Sequence, residues 1–465
     1  MISNLSFTAM LPSSAALVDV RAGTALDAEG IVRRVGARAA ELVRHGVTPG
    51  ARAVVAEVNP VDYLVAIFAC WEVGLVAVAV NPGLRPEECE TVLQATGASL
   101  WLGPHRPAVV AAQSSEPRSL RLDDPALILM TSGTTGRPKG IVHSVRSLFA
   151  RASLNIAEIG ADVLRDTLCV LPVFFGHGLI GNVLTPLLAG GRVHLWPSPA
   201  LGELAGLGGY VTGQNIGFMS SVPSFWKLAL RVSARPEPVL QRVHVGSAPL
   251  SIEHWRAIAE WCGTRRVFNM FGMTETANWI AGGSLDQAEA CDGFVGRPWG
   301  GSVAIADTAG GRGEVLVQSP SMMLGYWQRP DLDAAAFVNG WFRTGDIGEL
   351  DAKGHLILVG RSKSEINRGG IKIQAEEIDM LLERHEAIVE ACAFGIPDAI
   401  AGEAVAAAIV LADGAVFDPE ALKAWCRARV RDEAVPSRLF AVAAIPRNDR
   451  GKIVRADVRA MVEAR

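Results

Sequence analysis

The sequence predicts an α/β protein with a large N-terminal domain of several subdomains, doubly covered α/β sheets plus a smaller β-rich part, and a small α+β domain at the C-terminus. Three observations carry this. At 465 residues the chain exceeds what one hydrophobic core ordinarily organises. From Leu26 to about Val359, stretches with helical apolar spacing alternate with short β-branched runs, the order of a largely parallel sheet covered on both faces. Near Gly360–Ser364 the pattern restarts, which places the domains at 1–360 and 361–465.

Each element has its local reason. "EGIVRRVGARAAELVRHGVTPG" has apolar residues at helical spacing and stops at Gly46 and Pro49; "ARAVVAEV" then reads as a strand. "DYLVAIFACWEVG" reads as a helix and "LVAVAVNP" as a strand. "RRVFNMFG", "GSVAIAD", "GRGEVLVQS" and "GHLILVG" are strand-rich with glycine turns, and together suggest the β-rich subdomain. In the last domain a helix is expected from Ala375, with Glu376 and Glu377 opposing its dipole. The strands "VEACAFGI" and "EAVAAAIVL" follow, then a helix capped by Asp418 and opened by Pro419.

Composition excludes several classes. Forty-four basic against 48 acidic residues give a net charge of −4, with no basic field for nucleic acid. The N-terminus lacks the basic lead and apolar run of a signal peptide. The most apolar stretch is broken by Glu72 and Gly74, so no integral membrane association is expected. Seven cysteines without CxxC pairs point to reduced thiols and a cytoplasmic setting, and nine histidines show no metal-ligand spacing.

The densest motif is "LMTSGTTGRPKGIVHS", Leu129 to Ser144. "LILM" before Thr131 reads as a buried strand and "SVRSLFARASLN" as a helix, so the loop is expected at a strand-to-helix turn. Gly133, Gly136 and Gly140 allow close backbone approach, and consecutive N–H groups make an anion nest. Hydroxyls add donors and Lys139 adds charge. The GxxxxGK[ST] phosphate loop is excluded, because glycine follows the lysine.

"TSGTTGRPKG" resembles the signature loop of the adenylate-forming superfamily, which includes acyl-CoA synthetases. Further motifs fall in the family's order: "GSAPLS" (Gly246–Ser251), "NMFGMTET" (Asn269–Thr276), "WFRTGDIG" (Trp341–Gly348), "GRSKSEINRGGIKI" (Gly360–Ile373) and "IPRNDRGKIVR" (Ile445–Arg455). The resemblance covers nearly the whole chain. It implies activation of a small-molecule carboxylic acid with ATP and Mg²⁺ to an acyl-adenylate, with release of pyrophosphate. An anion attacking an anion requires charge neutralisation and alignment.

By the same resemblance, Thr131, Ser132, Gly133, Thr134, Thr135 and Lys139 hold the β- and γ-phosphates. Glu275 coordinates Mg²⁺ and Thr274 donates to the α-phosphate. Gly246, Ser247 and Ala248 line one side of the adenine slot, Phe271 and Gly272 the other, and Asn269 reads the exocyclic amine. Asp346 accepts from the ribose hydroxyls, supported by Arg361, and Lys452 bridges the acid carboxylate and the α-phosphate. Loss of Lys139, Glu275 or Lys452 would suggest a catalytically silent paralogue, and all three are present.

For the second step, the resemblance implies a mobile C-terminal lid turning at Lys363. Gly369 and Gly370 then leave room for a pantetheine arm, with Arg368 and Lys372 near its mouth. Coenzyme A is the expected acceptor, and an acyl carrier protein the alternative. Around the acid, Phe175, His177, Phe218, Ser220, Val222, Gly246 and Trp279 are candidate walls. Phe175 stands near where amino-acid-activating relatives carry Asp, and Met270 where dicarboxylate users carry Arg. The expected substrate is an apolar monocarboxylic acid, aromatic or medium-chain aliphatic.

Overall fold

The computed structural model of the chain describes residues 6–104, 120–131, 139–287, 290–309, 311–369, 371–399, 401–448 and 452–463. It separates into two compact units. The first holds the described residues up to Ala290 together with Val295–Ser302 and Gln318–Phe342. The second holds Cys291–Phe294, Val303–Val317 and the described residues from Arg343 onward.

The helices of the first unit begin where capping chemistry allows. Asp27 accepts from the Gly30 N–H at the start of Ala28–Arg44, and Asn59 accepts from Val61 and Asp62 at the start of Pro60–Glu72, with Pro60 opening the first turn. Nearly all of Pro60–Glu72 is buried, so it runs through the core instead of along its edge. Leu64, Phe68 and Trp71 pack there against Ile31, Val35 and Leu42 of the preceding helix. No helix among the described residues is long and apolar enough to cross a membrane.

Two sheets organise this unit. In the first, the strands run in the order Gly325–Tyr326, Lys139–Ser144, Pro125–Thr131, Val76–Ala79, Arg52–Val55 and Leu100–Leu102. Pro125–Thr131 and the three strands after it are parallel, as the alternating pattern predicts. In the second, Val267–Gly272, Arg242–Gly246, Phe218–Ser221, Asp166–Cys169 and Arg192–Leu195 lie parallel in that order, with Trp279–Ser284 antiparallel beside the first.

Two expectations need correction. "RRVFNMFG" is no part of a separate β-rich subdomain: Val267–Gly272 pairs in parallel with Arg242–Gly246 inside the main sheet. The glycine-rich loop also does not lead from a strand into a helix. Thr131 pairs with Lys139, and Pro125–Thr131 and Lys139–Ser144 form an antiparallel hairpin. The helix Val145–Ile159 begins only afterwards, capped by Ser144. Ile141 and Val142 are β-branched and buried, which suits a strand.

In the second unit, Ser302–Ala309, Arg312–Gln318, Trp341–Leu350 and Leu356–Arg361 neighbour one another in that order, and most of their length belongs to this unit. A five-stranded sheet contains Glu365–Arg368, Ile371–Gln374, Ile388–Asp398, Gly402–Leu411 and Arg438–Ala441. The helices Ala375–Glu383 and Pro419–Arg427 form as expected, the latter capped by Asp418. Ile378, Leu381 and Leu382 pack with Ile388, Leu422 and Cys426 in its core.

Candidate active site

In the first unit, the hairpin positions Lys139 as the first residue of its return strand. Ser132, Gly133, Thr134 and Thr135 lie outside the described residues. Across from Lys139, the strand Val267–Gly272 ends in a tight turn, Thr274–Thr276. Gly272 allows this close return, since a Cβ there would stand 2.4 Å from the Asn278 carbonyl oxygen. Lys139 Nζ lies 3.2 Å from Glu275 Oε1 and 3.1 Å from the Tyr326 hydroxyl, which donates to the same carboxylate oxygen at 2.9 Å.

All three carbonyls of the turn are held from outside it. His143 Nε2 donates to the Thr274 oxygen at 2.7 Å, the Met323 N–H to Glu275 at 2.8 Å, and the Ser321 hydroxyl to Thr276 at 2.9 Å. Burial pushes the His143 imidazolium down to about 4, so the ring is neutral, and a carbonyl partner requires its proton on Nε2. Ser321 is held in turn by Arg151, a fully buried guanidinium that burial lowers to about 9. Tyr326, His143, Ser321 and Arg151 escape a reading of the sequence, because the contacts that give them meaning span 45 to 187 residues.

Glu275 presents one hard carboxylate, with its hydrogen bonds on Oε1. Among the described residues no group of three His, Cys, Asp or Glu could hold a metal alone. A single carboxylate suits Mg²⁺, which commonly takes one or two carboxylates and completes its shell with phosphate oxygens.

Beside the turn, Gly246 is packed so closely that a Cβ would meet Met270 at 3.0 Å. Ser247 follows at φ +69°, a left-handed conformation rare for serine, and Ala248 is exposed. Asn269 and Phe271 are buried in the neighbouring strand, with the register shifting at Phe271/Gly272.

His177 opens a π-helical stretch, His177–Leu184, a geometry that often marks functional sites. Its ring bridges two hydroxyls, Ser247 Oγ at 3.0 Å from Nδ1 and Ser220 Oγ at 2.7 Å from Nε2. Trp279 stands edge-on to His177 at 5.4 Å and to His244 at 4.5 Å. Phe218 and Ser220 are fully buried, Val222 is half-buried, and Phe175 packs edge-on against Phe174 at 4.4 Å.

In the second unit, Asp346 and Arg361 are cross-strand partners, with Arg361 Nε donating to Asp346 Oδ1 at 2.8 Å. Burial raises the Asp346 carboxyl, and Arg361 and Lys452 pull against that rise. Lys452 is exposed and its backbone is tied to Asn448: its N–H donates to Asn448 Oδ1 at 3.0 Å and its carbonyl accepts from the Asn448 N–H at 2.9 Å. Lys363 lies in the exposed turn Ser362–Ser364. Gly369 sits at φ +61° in the hairpin between Glu365–Arg368 and Ile371–Gln374; Gly370 lies outside the described residues. Arg368 donates to the Glu433 carbonyl at 2.7 Å, and Lys372 pairs with Glu365 at 3.2 Å.

Known proteins agree along nearly the whole chain. The family model for AMP-binding enzymes matches residues 8–327, and that for the AMP-binding enzyme C-terminal domain matches 377–452. A probable CoA ligase, CCL9 of Humulus lupulus, is 30% identical over 98% of this chain and 96% of its own. The oxalate–CoA ligase of Arabidopsis thaliana is 35% identical over 72% of this chain and 66% of its own. Among solved structures, ATP-bound MatB from Rhodopseudomonas palustris superposes with a TM-score of 0.87 at 25% identity, over 99% of both chains. The chain therefore belongs to the AMP-binding enzyme family, within the adenylate-forming superfamily.

Proposed function

We propose that this enzyme is an AMP-forming acyl-CoA ligase that first joins a carboxylic acid to AMP and then passes the acyl group to the thiol of coenzyme A. The observation that carries the reading is the meeting of Lys139 and Glu275 where the glycine-rich hairpin faces the Thr274–Thr276 turn, a cation and a carboxylate side by side. Lys139 and the loop hydroxyls would bind the β- and γ-phosphates, and Thr274 the α-phosphate. Glu275 would hold Mg²⁺, which supplies charge neutralisation at the phosphates. Asp346 and Arg361 would hold the ribose, Asn269 and Phe271 the adenine. Lys452 would bring the acid carboxylate against the α-phosphate.

The acid is an apolar monocarboxylate, aromatic or medium-chain aliphatic. Phe175 and Met270 support this, standing where charged partners would be needed, and Met270 is buried in an apolar cluster. An unpaired charge in such a pocket costs several kcal/mol, about two powers of ten in selectivity.

The test is exchange of labelled pyrophosphate into ATP with Mg²⁺ and a panel of acids, including benzoates, C4–C10 aliphatic acids, amino acids and oxalate. Exchange should depend on an apolar acid and fall sharply in Glu275→Ala without loss of folding. No exchange with any acid overturns the ligase reading. Preference for oxalate, the acid in the name of one relative, overturns the substrate class alone.

A further inference from the structure

Tyr326 belongs to none of the roles above, yet its phenol stands between the two charges of the site. Lysine has only protons to give and a phenol has one, so the direction of the bonds follows: Lys139 donates to the phenol oxygen, and the phenol donates to Glu275 Oε1. The same carboxylate oxygen also takes the direct contact from Lys139.

The phenol is held by scaffold that does not depend on Lys139's ammonium. Gly325–Tyr326 adds a short antiparallel strand to the edge of Lys139–Ser144, pairing Gly325 with Val142 and Tyr326 with Ile141. The Tyr326 N–H donates to Asp333 Oδ1 at 2.8 Å, and the side chain packs with Ile141, Met323 and Phe342. The segment that carries Tyr326 also supplies the Met323 N–H to the Glu275 carbonyl. Residues 323–326 therefore grip Glu275 at its backbone and its side chain together.

Lys139 has two competing claims on it. A bound phosphate would draw its ammonium away from Glu275, and the carboxylate would then lose one of two partners. We propose that Tyr326 is a positioning residue for the metal: it keeps one oxygen of Glu275 fixed, so that the other stays presented to Mg²⁺ while Lys139 moves to the phosphates. This rests on the reading above only in taking Mg²⁺·ATP as a ligand.

The test uses Mn²⁺ as the probe for Mg²⁺ and needs neither acid nor coenzyme A. Mn²⁺ binding to the full chain with ATP is followed by electron paramagnetic resonance, and metal-free ATP binding by calorimetry. Tyr326→Phe keeps the packed ring and removes both bonds of the phenol, of which only the one to Glu275 would remain once ATP has drawn Lys139 away. It should weaken Mn²⁺·ATP about tenfold and leave metal-free ATP binding unchanged. In a Glu275→Ala background the same substitution should have no further effect. Equal metal affinity in Tyr326→Phe, equal weakening of metal-free ATP, or an undiminished effect without Glu275 overturns the proposal. A second measurement needs no variant, since the chain has only three tyrosines. In protein labelled with 3-fluorotyrosine, Mn²⁺·ATP should broaden one fluorine resonance far more than the other two. Uniform broadening overturns the proposal. A wild-type chain that binds no Mn²⁺·ATP overturns both this proposal and the ligase reading, whereas normal binding with an indifferent Tyr326→Phe overturns this one alone.

Discussion

The guanidinium of Arg455 meets the carboxylate of Asp379 through two bonds, Nη2 to Oδ2 at 2.6 Å and Nη1 to Oδ1 at 3.2 Å. Arg455 also reaches the Ala393 carbonyl at 2.8 Å and Glu376 Oε1 at 3.1 Å. The pair ties the residues just after Lys452 to the helix Ala375–Glu383. Although burial opposes its charge, the two carboxylates hold Arg455 firmly protonated.

Arg455→Met should therefore destabilise the second unit by about 3–5 kcal/mol, because it leaves Asp379 and Glu376 buried without their cation. Urea unfolding followed by a probe in that unit measures this. Arg455→Lys should recover only part of the loss, as an ammonium cannot match the two-pronged contact. A cost below about 1 kcal/mol for Arg455→Met would place the pair among ordinary surface bridges.

The role proposed for Lys452 is confined to the adenylation step. Lys452→Ala should lose adenylation by about two to three powers of ten, the scale of one transition-state charge contact. It should still convert supplied acyl-adenylate to thioester at a near-normal rate. Equal damage to both half-reactions would mean that a single arrangement of the C-terminal domain serves both.

Substitutions at Lys363 and Gly369 should show the reverse, with adenylation kept and thioester formation lost. Lys363→Pro would stiffen the turn about which residues 361–465 are proposed to rotate. Gly369→Trp would fill the thiol path, but it also places a side chain at φ +61°. Gly369→Asn separates these effects, since Asn tolerates that backbone and is small. It should retain most thioester formation; an Asn variant as damaged as the Trp variant would show that Gly369 serves the hairpin and not the channel.

His244 gives a pH dependence of stability. Burial, with the Arg242 guanidinium beside it, pushes its imidazolium well below the ordinary 6.5. The unfolded chain therefore binds this proton more readily, so the stability it contributes is fully present above pH 6.5 and is lost as the pH falls below it. Arg242 Nε donates to His244 Nε2 at 2.9 Å, a bond that Gln can accept. Chemical denaturation of His244→Gln at a series of pH values should show a shallower acid-side loss than wild type. Parallel curves would assign the loss to other groups.

How much of this was legible in the sequence follows from the range of the forces involved. The helices Ala28–Arg44, Pro60–Glu72 and Pro419–Arg427 were readable because apolar spacing and capping act within a few residues. The hairpin reads in the sequence as a strand-to-helix turn: "GIVH" is too short a run to declare itself, and its pairing with Pro125–Thr131 is settled across the loop. The strand Val267–Gly272 reads as part of a separate subdomain for a similar reason, since nothing local tells a β-rich run that it will pair with Arg242–Gly246. Asp346 and Arg361 lie in two motifs that the resemblance alone links to one ribose, and the strand register that sets them opposite each other has no local signal. Tyr326 gave no signal at all, because its strand is two residues long.

The Thr274–Thr276 turn takes its three outside bonds from His143, Ser321 and Met323, so its geometry is inherited from two distant stretches of chain. Grafting has to respect that inheritance. A chimera that imports residues 267–284 alone would arrive without the donors that shape them, while one that also carries 139–151 and 319–327 from the same parent would bring Lys139, His143, Arg151, Ser321, Met323 and Tyr326 as a matched set. The natural crossover points for exchanging acid pockets between relatives therefore lie outside these three blocks, and a library built on such cuts should contain more folded, nucleotide-binding members than one cut inside them.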